Sequence, residues 1–108
     1  MSAPESFRTA SRAFRYEPDK VKGSRFIADV APALNGEEAE AFVRTIREEF
    51  PDASHHCYAW RCGVEGKDHR ANDDGEPSGS AGKPILAQIE GHELTQIVVV
   101  VTRYFGGT

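Results

Sequence analysis

The residues of greatest chemical interest lie in a glycine-rich segment, 72–84, with the sequence NDDGEPSGSAGKP. Its glycines permit left-handed turns and a close approach of the backbone to a ligand. Ser78 or Ser80 can cap the helix that follows, and the free N–H groups at the start of that helix attract an anion. The segment therefore predicts a cradle for a phosphate or a carboxylate, formed by Gly75, Ser78, Gly79, Ser80, Gly82 and Lys83.

Three carboxylates, Asp73, Asp74 and Glu76, stand beside this predicted cradle. Because they would repel a bare phosphate, they either point elsewhere, cap turns, or hold a Mg²⁺ ion that bridges to the phosphate. No cofactor is expected in the first two cases, and Mg²⁺ is expected in the third. The residue types alone leave the three interpretations open.

A second group, His55, His56 and Cys57, begins an aromatic-rich segment that extends to Cys62. Alternation along a strand places His55 and Cys57 on one face, where a thiolate–imidazole pair or half of a zinc site could form. The simpler interpretation is a strand of ordinary polar and small side chains, so these three residues are secondary candidates. The same alternation places Cys57 and Cys62 on opposite faces, so they cannot form a disulfide within the strand.

An arginine, two aromatic residues and two glycines follow the last apolar segment directly. Such a group at the carboxyl end of a strand fits the edge of a ligand crevice, although aromatic packing at a strand end would explain it equally well. The candidate binding residues in this group are Arg103, Tyr104, Gly106 and Gly107.

Five predicted elements must position these residues. A helix is capped by Asn35 and Glu38, carries an apolar stripe and ends before Pro51. A second helix is predicted at 81–90, with Gly91 placed to end it. The predicted strands lie at 24–30, at 55–62 and at 96–102, and the last is apolar throughout, as expected of a central strand. The polar loop 63–80 leaves room for a short strand, so the order is β-α-β-(β)-α-β.

The composition bounds the class of protein. The chain has 108 residues, 39% hydrophobic and 28% charged, as is typical of one globular domain. No run approaches the roughly 20 apolar residues of a membrane span. The net charge of −4 argues against a large nonspecific nucleic-acid footprint. Two cysteines and the lack of an apolar secretory segment favour the cytoplasm.

Several blocks of the sequence resemble signature blocks of the YigZ/Impact family. They are HHCYAW at 55–60, DDGEPSGSAGKP at 73–84 and VVVVTRYFGG at 98–107, and KVKGSRFIA at 20–28 is similar to the opening strand of that family. The resemblance implies an α+β fold, a two-layer sandwich similar to the second domain of a small-subunit ribosomal protein. It also implies a cytoplasmic protein linked to translation.

The resemblance favours a regulator without enzymatic activity that binds RNA, the ribosome or a translation-regulatory protein. The binding surface would be the loop 75–84 together with residues 103–107. No catalytic residue carries over from the family. The alternative is a Mg²⁺-dependent enzyme, or a binding protein for a small phosphorylated metabolite, that uses the same loop.

Two departures from the family concern the length of the chain. Family members continue after the RYFGG block into a further helix, and bacterial members add a ferredoxin-like domain, whereas this sequence stops at Thr108. We therefore expect residues 1–19 to be a basic, flexible arm and residues 20–108 to be a domain truncated at its C-terminal end. The truncation would expose an apolar face, and association into a homo-oligomer could cover it.

Overall fold

The computed structural model describes residues 12–63 and 65–106, which form five strands and two helices. The strands are β1 (Phe14–Tyr16), β2 (Arg25–Pro32), β3 (His55–Cys62), β4 (Asp68–Asn72) and β5 (Ile97–Tyr104). The helices are α1 (Gly36–Glu49) and α2 (Gly82–Gly91). All neighbouring strands are antiparallel, in the order β1-β2-β5-β3-β4. The α+β class is therefore confirmed.

β5 occupies the centre of the sheet because its apolar residues can be buried on both faces. It pairs along its length with β2 on one side and with β3 on the other. Val98 and Val100 have no exposed surface. The central strand is thus where the sequence predicts it, and it extends past Thr102 to include Arg103 and Tyr104.

The two helices lie on opposite faces of the sheet. Tyr58 and Trp60 of β3 pack in one apolar cluster with Val43 of α1, whereas Ala59 packs in another cluster with Ile89 of α2. Since alternate residues of a strand point to opposite faces, the layers are helix, sheet and helix. The expectation of two layers is corrected here, because each face of the sheet carries apolar residues that a separate helix buries.

α1 begins and ends as its sequence predicts. The side chain of Asn35 accepts a hydrogen bond from the N–H of Glu38 at 2.9 Å, and the Glu38 carboxylate accepts one from the N–H of Leu34 at 2.8 Å. These reciprocal bonds satisfy N–H groups that have no partner within the helix. The apolar stripe then buries Ala39, Val43 and Ile46.

β1 forms within the segment that the sequence suggests is a basic arm. Its three residues are exposed, and it is held by pairing with β2 and by the ion pairs of Arg15 rather than by burial. Arg15 donates to Asp29 at 2.7 Å and to both carboxylate oxygens of Glu49 at 2.7 and 2.8 Å. Residues 1–11 of the predicted arm lie outside the described residues.

The segment between β3 and β5 contains a short strand, β4, followed by the helix α2. β4 forms in the space that the sequence leaves for a short strand and pairs with β3. α2 ends at Gly91, the residue that the sequence places at its end, and Glu93 shortly after it is left-handed (φ 57°). Both elements bring the segment 73–81 against the α2 face of the sheet.

Candidate functional site

The N–H groups at the start of α2, which the sequence predicts would cradle an external anion, bind a carboxylate of the chain itself. Asp73 accepts hydrogen bonds from the backbone N–H groups of Gly79 (2.8 Å), Ala81 (3.0 Å) and Gly82 (2.7 Å). These hydrogen bonds lower the pKa of the Asp73 carboxyl, and the charge of Lys83 lowers it further. An external phosphate could use these N–H groups only by displacing Asp73.

Neither Ser78 nor Ser80 caps α2, contrary to the prediction. The N-cap residue is Ala81, which has no side-chain acceptor. The Ser80 hydroxyl donates to the carbonyl of Pro77 in the preceding turn, and Ser78 is exposed. Because an ionised carboxylate accepts stronger hydrogen bonds than a hydroxyl does, Asp73 is the better partner for the free N–H groups.

The histidines before Cys57 hold the turn that carries these acidic residues. The Nδ1 of His55 donates to the carbonyl of Asp74 at 2.8 Å, and the backbone N–H of His56 donates to the Asp74 carboxylate at 2.6 Å. The chain reverses at this point through two left-handed residues, Asp74 (φ 48°) and Gly75 (φ 88°). Both residue types tolerate that conformation. His55 and His56 therefore position the loop.

Gly82 allows the start of α2 to approach β4 closely. A Cβ at this position would lie 2.4 Å from the backbone nitrogen of Asn72. The side chain of Asn72 in turn accepts a hydrogen bond from the N–H of Asp74 at 2.7 Å. The close approach that the glycines predict is thus, at Gly82, an approach of the chain to itself.

The loop meets β5 through an ion pair between Glu76 and Arg103. The Nη1 of Arg103 lies 2.6 Å from a carboxylate oxygen of Glu76, and the two side chains are only 12% (Glu76) and 24% (Arg103) exposed. The guanidinium lies over the rings of Phe26 and Phe105, at 5.8 and 5.2 Å from their centroids. The loop 75–84 and the group that begins at Arg103, which are far apart in the sequence, therefore meet in one candidate site.

A cleft of about 440 Å³ lies beside this ion pair, on the α2 face of the sheet. Its polar lining residues are Glu76, Ser80 and Arg103. The rest of its lining is mostly apolar and comprises Phe26, Cys57, Pro77, Ala81, Ile85 and Val101. The cleft can accept a group that presents an apolar surface and a small number of hydrogen-bonding atoms.

Cys57 lies in the wall of the cleft as a neutral thiol. Its Sγ donates to the carbonyl of Asp73 at 3.2 Å and lies 3.8 Å from a carboxylate oxygen of Glu76. Burial, followed by the charges of Glu76 and Asp74, raises the pKa of the Cys57 thiol to about 12. The imidazole of His55 is bonded to Asp74 instead. The predicted thiolate–imidazole pair is therefore not formed.

The three carboxylates considered for Mg²⁺ face three different sets of partners. Asp73 faces the start of α2, Glu76 faces Arg103, and Asp74 faces the backbone of His56 together with Arg47 at 3.3 Å. Within residues 12–63 and 65–106, no group of three His, Cys, Asp or Glu side chains could hold a metal ion. A shared Mg²⁺ ion would require these carboxylates to leave their present partners.

The remaining candidates lie away from the cleft. Tyr104 points to the face opposite Arg103, and its hydroxyl donates to Asp52 at 3.0 Å. Lys83 is exposed on the first turn of α2. Gly106 packs on the backbone of Gly23, where an added Cβ would lie within 2.4 Å of the carbonyl carbon. Gly107 is outside the described residues.

The apolar wall of the cleft could not be predicted from the sequence. Phe26 lies directly opposite Arg103 in the pairing of β2 with β5, and Val101 is on the same face of β5 as Arg103. Ile85 reaches the cleft from α2. The alternation of Phe26 with the buried Ile27 indicates that the two side chains point to opposite faces of the sheet. Placing Phe26 beside Arg103 also requires the strand register, which cannot be read from the sequence.

A second groove, of about 450 Å³, adjoins the cleft at Ile85 and is almost entirely apolar. Phe14, which is 53% exposed, lies at its side. The other lining residues are Val30, Gln88, Ile89, His92, Leu94, Ile97 and Val99. An uncovered apolar face was expected, and its coverage by a second copy of the chain stays a prediction.

The fold and the cleft define a class: an α+β domain in which an internally bonded loop forms one wall of a small cleft. The described residues contain no helix long and apolar enough to cross a membrane. Residues 22–108 match the family model of the Impact N-terminal domain. The chain therefore belongs to the Impact family.

Curated relatives and solved structures agree with this assignment. The chain is 47% identical over 91 residues to the IMPACT family member YigZ of Escherichia coli K12, covering 82% of this chain and 45% of the relative. A relative from Thermus thermophilus is 48% identical over 87 residues, covering 81% and 45%. The chain thus spans less than half the length of these relatives.

Two solved structures resemble the fold. One, described as a hypothetical protein, superposes with a TM-score of 0.88 at 42% identity, covering 93% of this chain and 49% of that one. The other is the two-domain translational regulator Yih1, with a TM-score of 0.55 at 27% identity, covering 99% of this chain and 40% of that one. The sheet and both helices therefore belong to a fold shared with these proteins.

Proposed function

We propose that this domain is the binding part of a translation-linked regulator and that it docks on a protein component of the translation apparatus through the cleft. Membership of the Impact family and the likeness to the translational regulator Yih1 support the link to translation. The chain spans less than half the length of its relatives. A translation-linked role for a whole protein of this kind is therefore part of what we propose. The role is binding rather than catalysis.

The observation that carries the proposal is that the carboxylates of the loop are bonded to partners within the chain. Asp73 occupies the N–H groups at the start of α2, and Glu76 pairs with Arg103, the cation of the cleft. A nucleic-acid backbone is bound by clusters of unpaired Lys and Arg. A cleft that offers one arginine, already paired with Glu76, and mostly apolar walls favours a protein surface over RNA.

The apolar walls supply the kind of contact on which protein interfaces depend. Large apolar side chains that enter a well-packed pocket contribute most of the binding energy of an interface, and polar groups at the edge fix the orientation. Phe26, Ile85 and Val101 line such a pocket, and Ser80 lies among its polar residues. A partner segment would therefore place an apolar side chain between α2 and the sheet.

Co-sedimentation with purified bacterial ribosomes tests the docking. Ser80 lines the cleft, whereas Ser78 is exposed on the same loop and is not among the cleft residues. We expect Ser80→Trp to block the cleft and to weaken sedimentation by about tenfold or more, as loss of a central contact does. Ser78→Trp, the matched control, should sediment like the wild type.

The salt dependence distinguishes a protein contact from an RNA contact. Binding through six or more phosphates would fall by roughly a thousandfold or more between about 50 and 200 mM salt. Docking on a protein should fall far less. A wild-type domain that fails to sediment at any salt concentration would contradict the proposal, and equal sedimentation of Ser80→Trp and the wild type would exclude this cleft as the docking surface.

A further inference from the structure

Arg103 uses only part of its hydrogen-bonding capacity. Its Nη1 donates to Glu76 at 2.6 Å, whereas its Nε is buried and has no hydrogen-bond partner among the residues that the structure describes. The Nε and the neighbouring Nη2 form the edge of a guanidinium that binds a carboxylate with two parallel hydrogen bonds. A buried N–H group without an acceptor is uncommon in folded proteins. This edge therefore calls for an acceptor that enters with a ligand.

The surroundings of Arg103 restrict what that ligand can be. Phe26 lies opposite Arg103 in the strand register, and Val101 is two residues earlier on the same face of β5. Together with Ile85 they form an apolar wall next to the guanidinium. A carboxylate bound at Arg103 would place the group attached to it against this wall.

We propose that the cleft captures the C-terminal residue of the docked protein. The terminal carboxylate pairs with the Nε and Nη2 edge of Arg103, and the large apolar side chain of that residue packs against Phe26, Ile85 and Val101. The inference rests on the proposed function, because it states the chemistry by which the docked protein is recognised. A C-terminal residue joins a carboxylate and an apolar side chain on one carbon atom, which a glutamate or aspartate side chain does not.

Glu76 sets the strength of this capture. Its carboxylate holds the neighbouring Nη1 of the same guanidinium, so a bound carboxylate would feel its repulsion. Glu76→Gln keeps the size and the acceptor oxygen but removes the charge. We therefore expect Glu76→Gln to bind a carboxylate several-fold more tightly, whereas a purely structural role for Glu76 would give equal or weaker binding.

Fluorescence anisotropy with a labelled peptide tests the proposal. The probe is fluorescein-GSGAAL with a free C-terminal carboxylate, and the comparison is the same peptide with a C-terminal amide. We expect the acid to bind about tenfold or more tightly than the amide, since charged hydrogen bonds are lost in the amide. Arg103→Lys keeps the charge but lacks the two-donor edge and should lose this preference. Arg44→Lys, exposed on α1 across the sheet, should retain it.

Equal binding of acid and amide to the wild type would overturn the proposal, and this comparison requires no variant to fold. A preference that persists in Arg103→Lys would overturn the assignment to Arg103. Free 4-methylpentanoate should compete only weakly, and competition equal to that of the acid peptide would identify a small carboxylate as the ligand instead. If acid and amide bind equally while Ser80→Trp still abolishes ribosome sedimentation, carboxylate capture fails and the docking function stands.

Discussion

Replacing Gly82 by alanine tests how the loop is held against the sheet. The added Cβ would lie 2.4 Å from the backbone nitrogen of Asn72 and 2.7 Å from its carbonyl carbon and oxygen. Because the contacting atoms of Asn72 are backbone, α2 and β4 must separate by about 0.6 Å to lengthen the 2.4 Å contact to 3.0 Å. Overpacking of this kind costs about 1–3 kcal/mol, against about 0.5–1 kcal/mol gained when alanine replaces a helical glycine. The middle values of these two ranges give a net loss of about 1 kcal/mol.

Gly91→Ala, at the other end of the same helix, is the matched control. No atom of the described part of the chain lies within 4 Å of the Cβ that it would add, so the gain of about 0.5–1 kcal/mol should appear alone. Urea unfolding followed by circular dichroism measures the stability of both variants. If the free energy of unfolding falls by about 1–1.5 kcal/mol per M urea, the midpoint of Gly82→Ala should lie about 1 M below that of the wild type. A midpoint for Gly82→Ala at or above that of the wild type would refute the close contact with Asn72.

Two further predictions concern the charges around the cleft. Because the pKa of Asp73 is lowered from its ordinary 3.8, its stabilising effect is present above that value and is lost as the pH falls below it. Asp73→Asn should thus be less stable than the wild type at about pH 7, and this difference in the free energy of unfolding should narrow as the pH falls below 3.8. Asp19→Asn, at an exposed position, is the control. A difference that stays constant with pH in urea melts would contradict this account. Since the pKa of the Cys57 thiol is raised to about 12, iodoacetamide near pH 8 should modify it roughly a hundredfold or more slowly in the native than in the urea-unfolded protein. Mass spectrometry of the labelled peptides gives both rates, and similar rates would mean that the thiol is exposed and ionised.

The parts of the fold that could be predicted are those whose signals are local. Asn35 and Glu38 are three residues apart, and their reciprocal hydrogen bonds depend on little beyond the first turn of α1. The apolar run of β5 likewise predicts a central strand without knowledge of its neighbours. β1 has no such signal, because Arg15 is held by Glu49, which is 34 residues away.

The candidate site was predicted in separate pieces for the same reason. The loop and Arg103 each carry recognisable residues, but Glu76 and Arg103 are 27 residues apart and meet only when α2 and β5 have docked. Which face of β5 carries Arg103, and which residue of β2 lies opposite, depends on register. The sequence therefore indicates the polar groups of the site, while the apolar wall follows from the sheet.

The segment around Asp73 shows why a glycine-rich loop before a helix is an ambiguous signal. The same N–H groups attract an external phosphate or a carboxylate of the same chain, and only the fold decides between them. Here the chain provides the anion, and the three hydrogen bonds to Asp73 tie the loop to the start of α2. A loop that is already held rigid before binding loses less conformational freedom when a partner binds. In the docking that we propose, the loop would contribute by its rigidity, and Arg103 would recognise the charge of the partner.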